Sequence, residues 1–187
     1  MSLPPLPPTP PPAIQVLLSL IVIPAAVLDI KTRRIPNWLS LSGIVLALLL
    51  NTFLGELGGL WFSLKGLGVA FIIYFVLYLL HGMGAGDVKL MAAVGSIVGW
   101  ENWFGIFIVT AVIGGIMSLI LVASRGRMKK TLFNVGFILS EMKSGRPAYL
   151  ANEELDVKSD KALRLPHGAT IAVGTLFFLA LSARFTR

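Results

Sequence analysis

Gly82-Met83-Gly84-Ala85-Gly86-Asp87-Val88-Lys89 separates two long apolar runs and puts a carboxylate, Asp87, at the mouth of a membrane helix. Three glycines at alternate positions, Gly82, Gly84 and Gly86, leave the backbone little steric restriction. The segment is therefore expected to be non-helical, with the helix restarting at Val88. A charged side chain near the bilayer centre costs roughly 2.5 to 3.5 kcal/mol on insertion scales, so an acid at such a place calls for a functional reason.

Composition narrows the search for a partner to Asp87. Of 187 residues 56% are hydrophobic and only nine are acidic, which marks an integral membrane protein. Glu141, Glu153, Glu154, Asp156 and Asp160 fall in one polar loop, and Glu56 and Glu101 in short connections. Asp29 and Asp87 remain, each at the end of an apolar run where a hydrophobic residue would insert more cheaply. The absence of cysteine excludes structural disulfides, thiolate nucleophiles and cysteine-ligated zinc, and with only His81 and His167 a histidine-rich metal site is not expected.

In chain order, prolines among residues 1–12 predict a short polyproline II tail, followed by a membrane domain over residues 13–187. Apolar runs predict six membrane helices in an all-α, polytopic fold: about 13–28, 38–54, 66–80, 88–100, 104–123 and 168–183. Pro24, five residues before Asp29, is expected to kink or loosen the last turn of the first helix. Pro36 disfavours helix at Ile35, and Asn37 reads as an N-cap of the second helix. Glu56 and Lys65 mark a connection to the third helix, and Glu101 and Asn102, flanked by Trp100 and Trp103, mark an interface before the fifth. The fourth run is short, spanning roughly 20 Å against a hydrocarbon core of about 30 Å.

Lys31, Arg33, Arg34, Lys89 and the basic loop at about 125–165 lie in connections that the positive-inside rule makes cytoplasmic, which puts both termini on the outer side. Asp29 then ends an inward-running helix and Asp87 starts an outward-running one, so both face the cytoplasmic side. Within the basic loop, Met128, Leu132, Val135, Leu139 and Met142 fall at helical spacing and predict an interfacial amphipathic helix.

Plainer roles compete for each of these residues. Asp87 could be an N-cap of the fourth helix, Asp29 an interfacial acid paired with Lys31 or Arg33, and Lys89 a topology anchor. His81 and His167 read as loop residues, and Gly114, Gly115, Gly168 and Gly174 as points of close helix packing. The capping and pairing roles weaken together, since two accidents would have to place both intramembrane aspartates on one side.

Asp29-Ile30-Lys31-Thr32-Arg33-Arg34-Ile35-Pro36-Asn37, followed by Gly84-Ala85-Gly86-Asp87-Val88-Lys89-Leu90, resembles the two catalytic segments of the type IV prepilin peptidases, membrane aspartyl proteases with a Gly-x-Gly-Asp motif. Leu165-Pro166-His167-Gly168 before the last helix also resembles that family. The resemblance implies Asp29 and Asp87 as catalytic residues, with Gly84, Gly86, Lys89, Pro36 and Asn37 in support and no metal or cofactor. It implies removal of a short basic leader from prepilin-like precursors at the cytoplasmic face of the inner membrane. The expected partners are those precursors and the lipid bilayer, with no nucleic acid. The cysteine-bearing segment of the bifunctional members has no counterpart here, so the chain looks like the smaller peptidase-only kind of tight-adherence or Flp-type pili, and N-methyltransferase activity is not carried over.

The chemistry agrees with this without the family. Two carboxyls sharing one proton can activate a water and protonate the scissile bond, and they titrate as a pair. The competing class is a small ion- or proton-coupled transporter using the same two aspartates, whose marks would be acids spread through the membrane and two inverted halves. No such internal repeat is present.

Overall fold

The computed structural model describes residues 9–143 and 166–185. The expected proline tail up to residue 8 and the loop over 144–165, with Glu153, Glu154, Asp156 and Asp160, lie outside the described residues. Among the described residues the chain is all-helical: α1 Pro12–Thr32, α2 Asn37–Leu79, α3 Ala85–Ser124, α4 Met128–Lys143 and α5 His167–Phe185. Of these, α1, α2, α3 and α5 are long and apolar enough to cross a membrane.

Helix α1 starts with Pro12 at its first position, where the missing N–H costs nothing, and ends where Arg33 turns left-handed at φ 55° and donates its N–H to the Asp29 carbonyl. It runs unbroken through Pro24, so Asp29 sits in regular helix and not in the loosened turn expected.

The two longest helices each fold back on themselves. In α2 the backbone leaves helical geometry at Gly55 and at Glu56, where φ is 52°. Sixteen residues of straight helix would separate Ala47 from Ser63 by about 24 Å, yet Ser63 Oγ lies 3.4 Å from the Ala47 carbonyl oxygen and accepts from Asn51 Nδ2 at 2.7 Å. The arms are therefore antiparallel neighbours. This corrects the connection expected up to Lys65: the turn is confined to Gly55 and Glu56, and Lys65 is helical.

In α3 the break is Gly99, at φ 74° and ψ 170°, a conformation open to glycine and strained for other residues. Its first arm is buried from Leu90 to Gly99 and forms the axis of the bundle. Gly66 of α2 packs directly on Gly95 and Gly99, where an added methyl would strike backbone. The second arm runs back against α5, with Gly105 on Phe178, Thr110 on Gly174 and Gly114 on Thr170. Apolar side chains gain little from leaving lipid for protein, so close approach at these glycines favours the packing of the second arm of α3 on α5. Gly114 and Gly174 thus pack closely as expected, whereas Gly115 has open space beside it.

The pair of interfacial tryptophans does not hold together. Trp100 is exposed, but Trp103 is fully buried, stacked on Phe107 with centroids 5.4 Å apart and edge-on to Tyr74. The helix is already re-established there, before the start expected at residue 104. Helix α4 forms where the amphipathic pattern placed it, with Met128, Leu132 and Val135 exposed.

A break such as Gly99 takes the carbonyls of the preceding turn out of line with their usual donors. The Ser96 carbonyl accepts from Ser63 Oγ at 2.7 Å and from Asn51 Nδ2 at 3.2 Å, and the Ile97 carbonyl accepts from Asn51 Nδ2 at 3.2 Å. Asn51 is 7% exposed, so these bonds face no competition from water. Replacing Asn51 by Leu is expected to destabilise the protein by on the order of 1 to 3 kcal/mol, the cost of a buried carbonyl left unpaired. Thermal unfolding in mild detergent measures it, and an unchanged midpoint would show that the break needs no such support.

Candidate active site

The end of α1 and the starts of α2, α3 and α5 meet at one end of the bundle. Asp29 lies in the last turns of α1 and is 8% exposed. Its Oδ2 accepts the backbone N–H of Gly168 at 2.8 Å, in the first turn of α5. Helix starts have N–H groups with no partner inside the helix, and Pro166 just before α5 leaves that turn's amides facing outward. Gly168 also permits the approach: a Cβ there would lie 3.0 Å from both Cβ and Oδ2 of Asp29.

Asp87 comes from the glycine-rich stretch, which corrects the expected restart at Val88. The helix begins at Ala85, with Gly84 as its extended N-cap, and Asp87 is the third helical residue, not the cap. Its N–H donates to the Gly84 carbonyl at 3.1 Å and its Oδ2 accepts the Gly84 N–H at 3.2 Å. It is 9% exposed. Asp29, His167 and the Tyr74 phenol are each near enough to interact electrostatically with Asp87. The two aspartates, far apart in sequence, thus occupy one site.

The supporting residues divide by task. Pro36 is the extended N-cap of α2, so Asn37 is not the cap expected but the first helical residue, and its side chain makes no capping bond. Asn37 Oδ1 instead accepts from Lys89 Nζ at 2.9 Å, tying the start of α2 to the start of α3. Gly84 supplies an N–H to Asp87, and Gly86 faces Ile35, whose Cβ would lie 3.4 Å from a methyl placed there. Lys31, Arg33 and Arg34 surround this end as exposed side chains. Among the described residues no group of three or more His, Asp or Glu side chains is placed to hold a metal ion.

Three further residues lie at the site without a role assigned to them individually from the sequence. Gly168 holds Asp29, His167 is near enough to Asp87 to interact with it electrostatically, and Ile35 packs beside the backbone next to both acids. The available signal was Pro166-His167-Gly168 at a helix start, where free amides and a missing side chain suit a carboxylate from elsewhere in the chain.

The chain is similar in sequence to curated relatives. The chain is 29% identical over 122 residues to a prepilin leader peptidase/N-methyltransferase of Escherichia coli (strain K12), covering 62% of this chain and 53% of that protein. The enzyme of the same name from Pectobacterium carotovorum subsp. carotovorum is 34% identical over 116 residues, covering 56% and 39%. A preflagellin peptidase of Methanococcus voltae is 33% identical over 86 residues, covering 44% and 36%. The chain thus spans about half or less of the length of the curated relatives it matches. No solved structure matches it. The type IV leader peptidase family matches residues 16–119, more than half of the chain and the stretch that holds both buried carboxylates, and the protein belongs to that family.

Proposed function

We propose that the protein is a multi-pass membrane endopeptidase of the aspartic type that removes the leader from prepilin-like precursors. The observation that carries this reading is the meeting of Asp29 and Asp87, both buried, at one end of a bundle of apolar helices. Membership of the leader peptidase family, and the prepilin and preflagellin peptidase names of its relatives, support the substrate class. A transporter built on the same two acids is not favoured by that membership.

In this reading one carboxylate is ionised and takes a proton from a water molecule as its oxygen attacks the scissile carbonyl carbon. The other carboxyl gives its proton to the carbonyl oxygen. Collapse of the tetrahedral intermediate breaks the C–N bond as the first carboxyl passes the proton taken from water to the leaving amine and the second takes back a proton from a hydroxyl of the intermediate, so the pair again holds one proton with one water consumed. The Gly168 and Gly84 amides orient Oδ2 of the two acids, leaving Oδ1 of each for the water and the substrate. The proposal covers leader cleavage and not the methyl transfer named for two of the relatives.

The arms of α2 and α3 each cross the membrane in this reading, giving six spans with α1 and α5, both termini outside and the aspartates at the cytoplasmic face of the inner membrane. The first arm of α3, only about 21 Å long, leaves Asp87 below the surface, in backbone shielded by protein. Because the chain has no cysteine, sidedness can be mapped with single introduced thiols. Cysteines at Glu56 and Glu101 are expected to react with an impermeant reagent applied outside, and one at Arg127 only after permeabilisation; the opposite pattern would refute the topology.

Asp29→Asn and Asp87→Asn are each expected to lower cleavage of a prepilin-like substrate by at least about 10³-fold, with the double variant no worse than either, because members of one catalytic unit fail together. Asn keeps size and an acceptor for the Gly168 or Gly84 amide but cannot exchange a proton, so folding should be nearly unchanged. Purified protein in detergent or lipid is assayed for precursor cleavage. Turnover near wild type by a folded Asp87→Asn protein would sink the aspartyl mechanism.

A further inference from the structure

The link between α1 and α2 is four residues, Arg33 to Pro36, in which Ile35 is half-buried and packs against the apolar core. As the residue before a proline it is restricted to extended backbone, and as a β-branched residue it has few rotamers, so its direction is set locally. It touches two glycines. A methyl at Gly86 would lie 3.4 Å from Ile35 Cβ and 3.7 Å from its Cγ1 and Cδ1, and a methyl at Gly168 would lie 3.1 Å from its Cδ1. Gly86 is the neighbour of Asp87, and Gly168 donates the amide that holds Asp29. One rigid side chain therefore stands between the start of α3 and the start of α5. The link is held at both ends, by Asp29 to Gly168 before it and by Asn37 to Lys89 after it.

We propose that Ile35 is a positioning residue: it is the spacer that sets the distance between the two carboxylates, acting through the bare backbones of Gly86 and Gly168. This rests on the peptidase reading above. A spacer of this kind matters because misplacing a reacting group by about 1 Å costs on the order of 10²-fold in rate. Gly168 is part of the device, since a methyl there would press on Ile35 Cδ1 at 3.1 Å, whereas one at Gly86 would meet Ile35 at ordinary contact distance.

The test uses full-length protein in detergent micelles and a prepilin-like precursor. Ile35→Ala is expected to lower kcat by about 10- to 100-fold with KM within about twofold, and Ile35→Val, which keeps the branch and loses Cδ1, to fall between. Gly168→Ala is expected to lower kcat as well. Combining it with Ile35→Val removes the methyl's contact with Cδ1 but not those with Asp29, so the double variant should lose less than the product of the two single losses. That sign of coupling marks direct contact. Losses that merely follow the unfolding midpoint, or that multiply independently in the double variant, would overturn the proposal.

A second readout needs no substrate. With Asp29→Cys and Asp87→Cys as the only thiols, the yield of bridging by bifunctional reagents of graded length reports the gap directly. Ile35→Ala should shift or broaden the optimum, and an unchanged profile overturns the spacer. Asp29→Asn and Asp87→Asn run alongside: if they are inactive while Ile35→Ala keeps the wild-type kcat, the spacer fails alone, whereas active aspartate variants remove the peptidase reading itself.

Discussion

The hydrogen bond from the Gly168 amide to Asp29 joins residues 139 positions apart, and the shape of the site follows from it. It brings α5 against α1 and α3 and sets the direction in which Asp29 presents its other oxygen. A carboxylate at the end of α1 faces the carbonyls of its own helix, an unfavourable place for negative charge; the open amides at the start of α5 supply the opposite polarity from across the bundle. Glycine at position 168 suits the contact, because a methyl there would press on Asp29 and Ile35 together.

At the other end of the molecule the chain solves a different problem. A bundle of apolar helices needs tight turns, and the turns at Gly55, Glu56 and Gly99 disturb the helical hydrogen bonds around them. Asn51 and Ser63 answer the carbonyls of Ser96 and Ile97, and the Gly66 and Gly95 backbones close on each other beside them. The axis arm of α3, which ends in Asp87, is thereby held from its far end. Its position relative to α2 is fixed by polar bonds and by the absence of side chains, both of which remain effective where the surroundings are lipid.

What could be read from the chain, and what could not, separates along the range of the interactions involved. Asp29 and Asp87 stood out because an acid beside an apolar run is a local anomaly, and the amphipathic face of α4 is a local pattern that formed as read. Glycines at 84 and 86 argued locally for a flexible segment, yet the helix begins at Ala85, since burial of Val88, Leu90 and Met91 against the bundle outweighs glycine's modest cost. Asn37 has the character of a cap, but Lys89 takes its oxygen. Ile35 and Gly168 were legible only in part for the same reason. Pro166-His167-Gly168 offers free amides to a carboxylate, but nothing local says that Asp29 is the one they meet or that Ile35 lies beside it.

The separation of Asp29 from Gly168 also has a consequence in time. During synthesis α1 enters the membrane long before α5 leaves the ribosome, and at about 5 to 20 residues per second the intervening stretch takes roughly 7 to 28 seconds. Through that interval the first acid has no amide to hold it, and the site lacks the wall that α5 provides. Asp29 can therefore be anchored only once α5 has been made and has docked against α1.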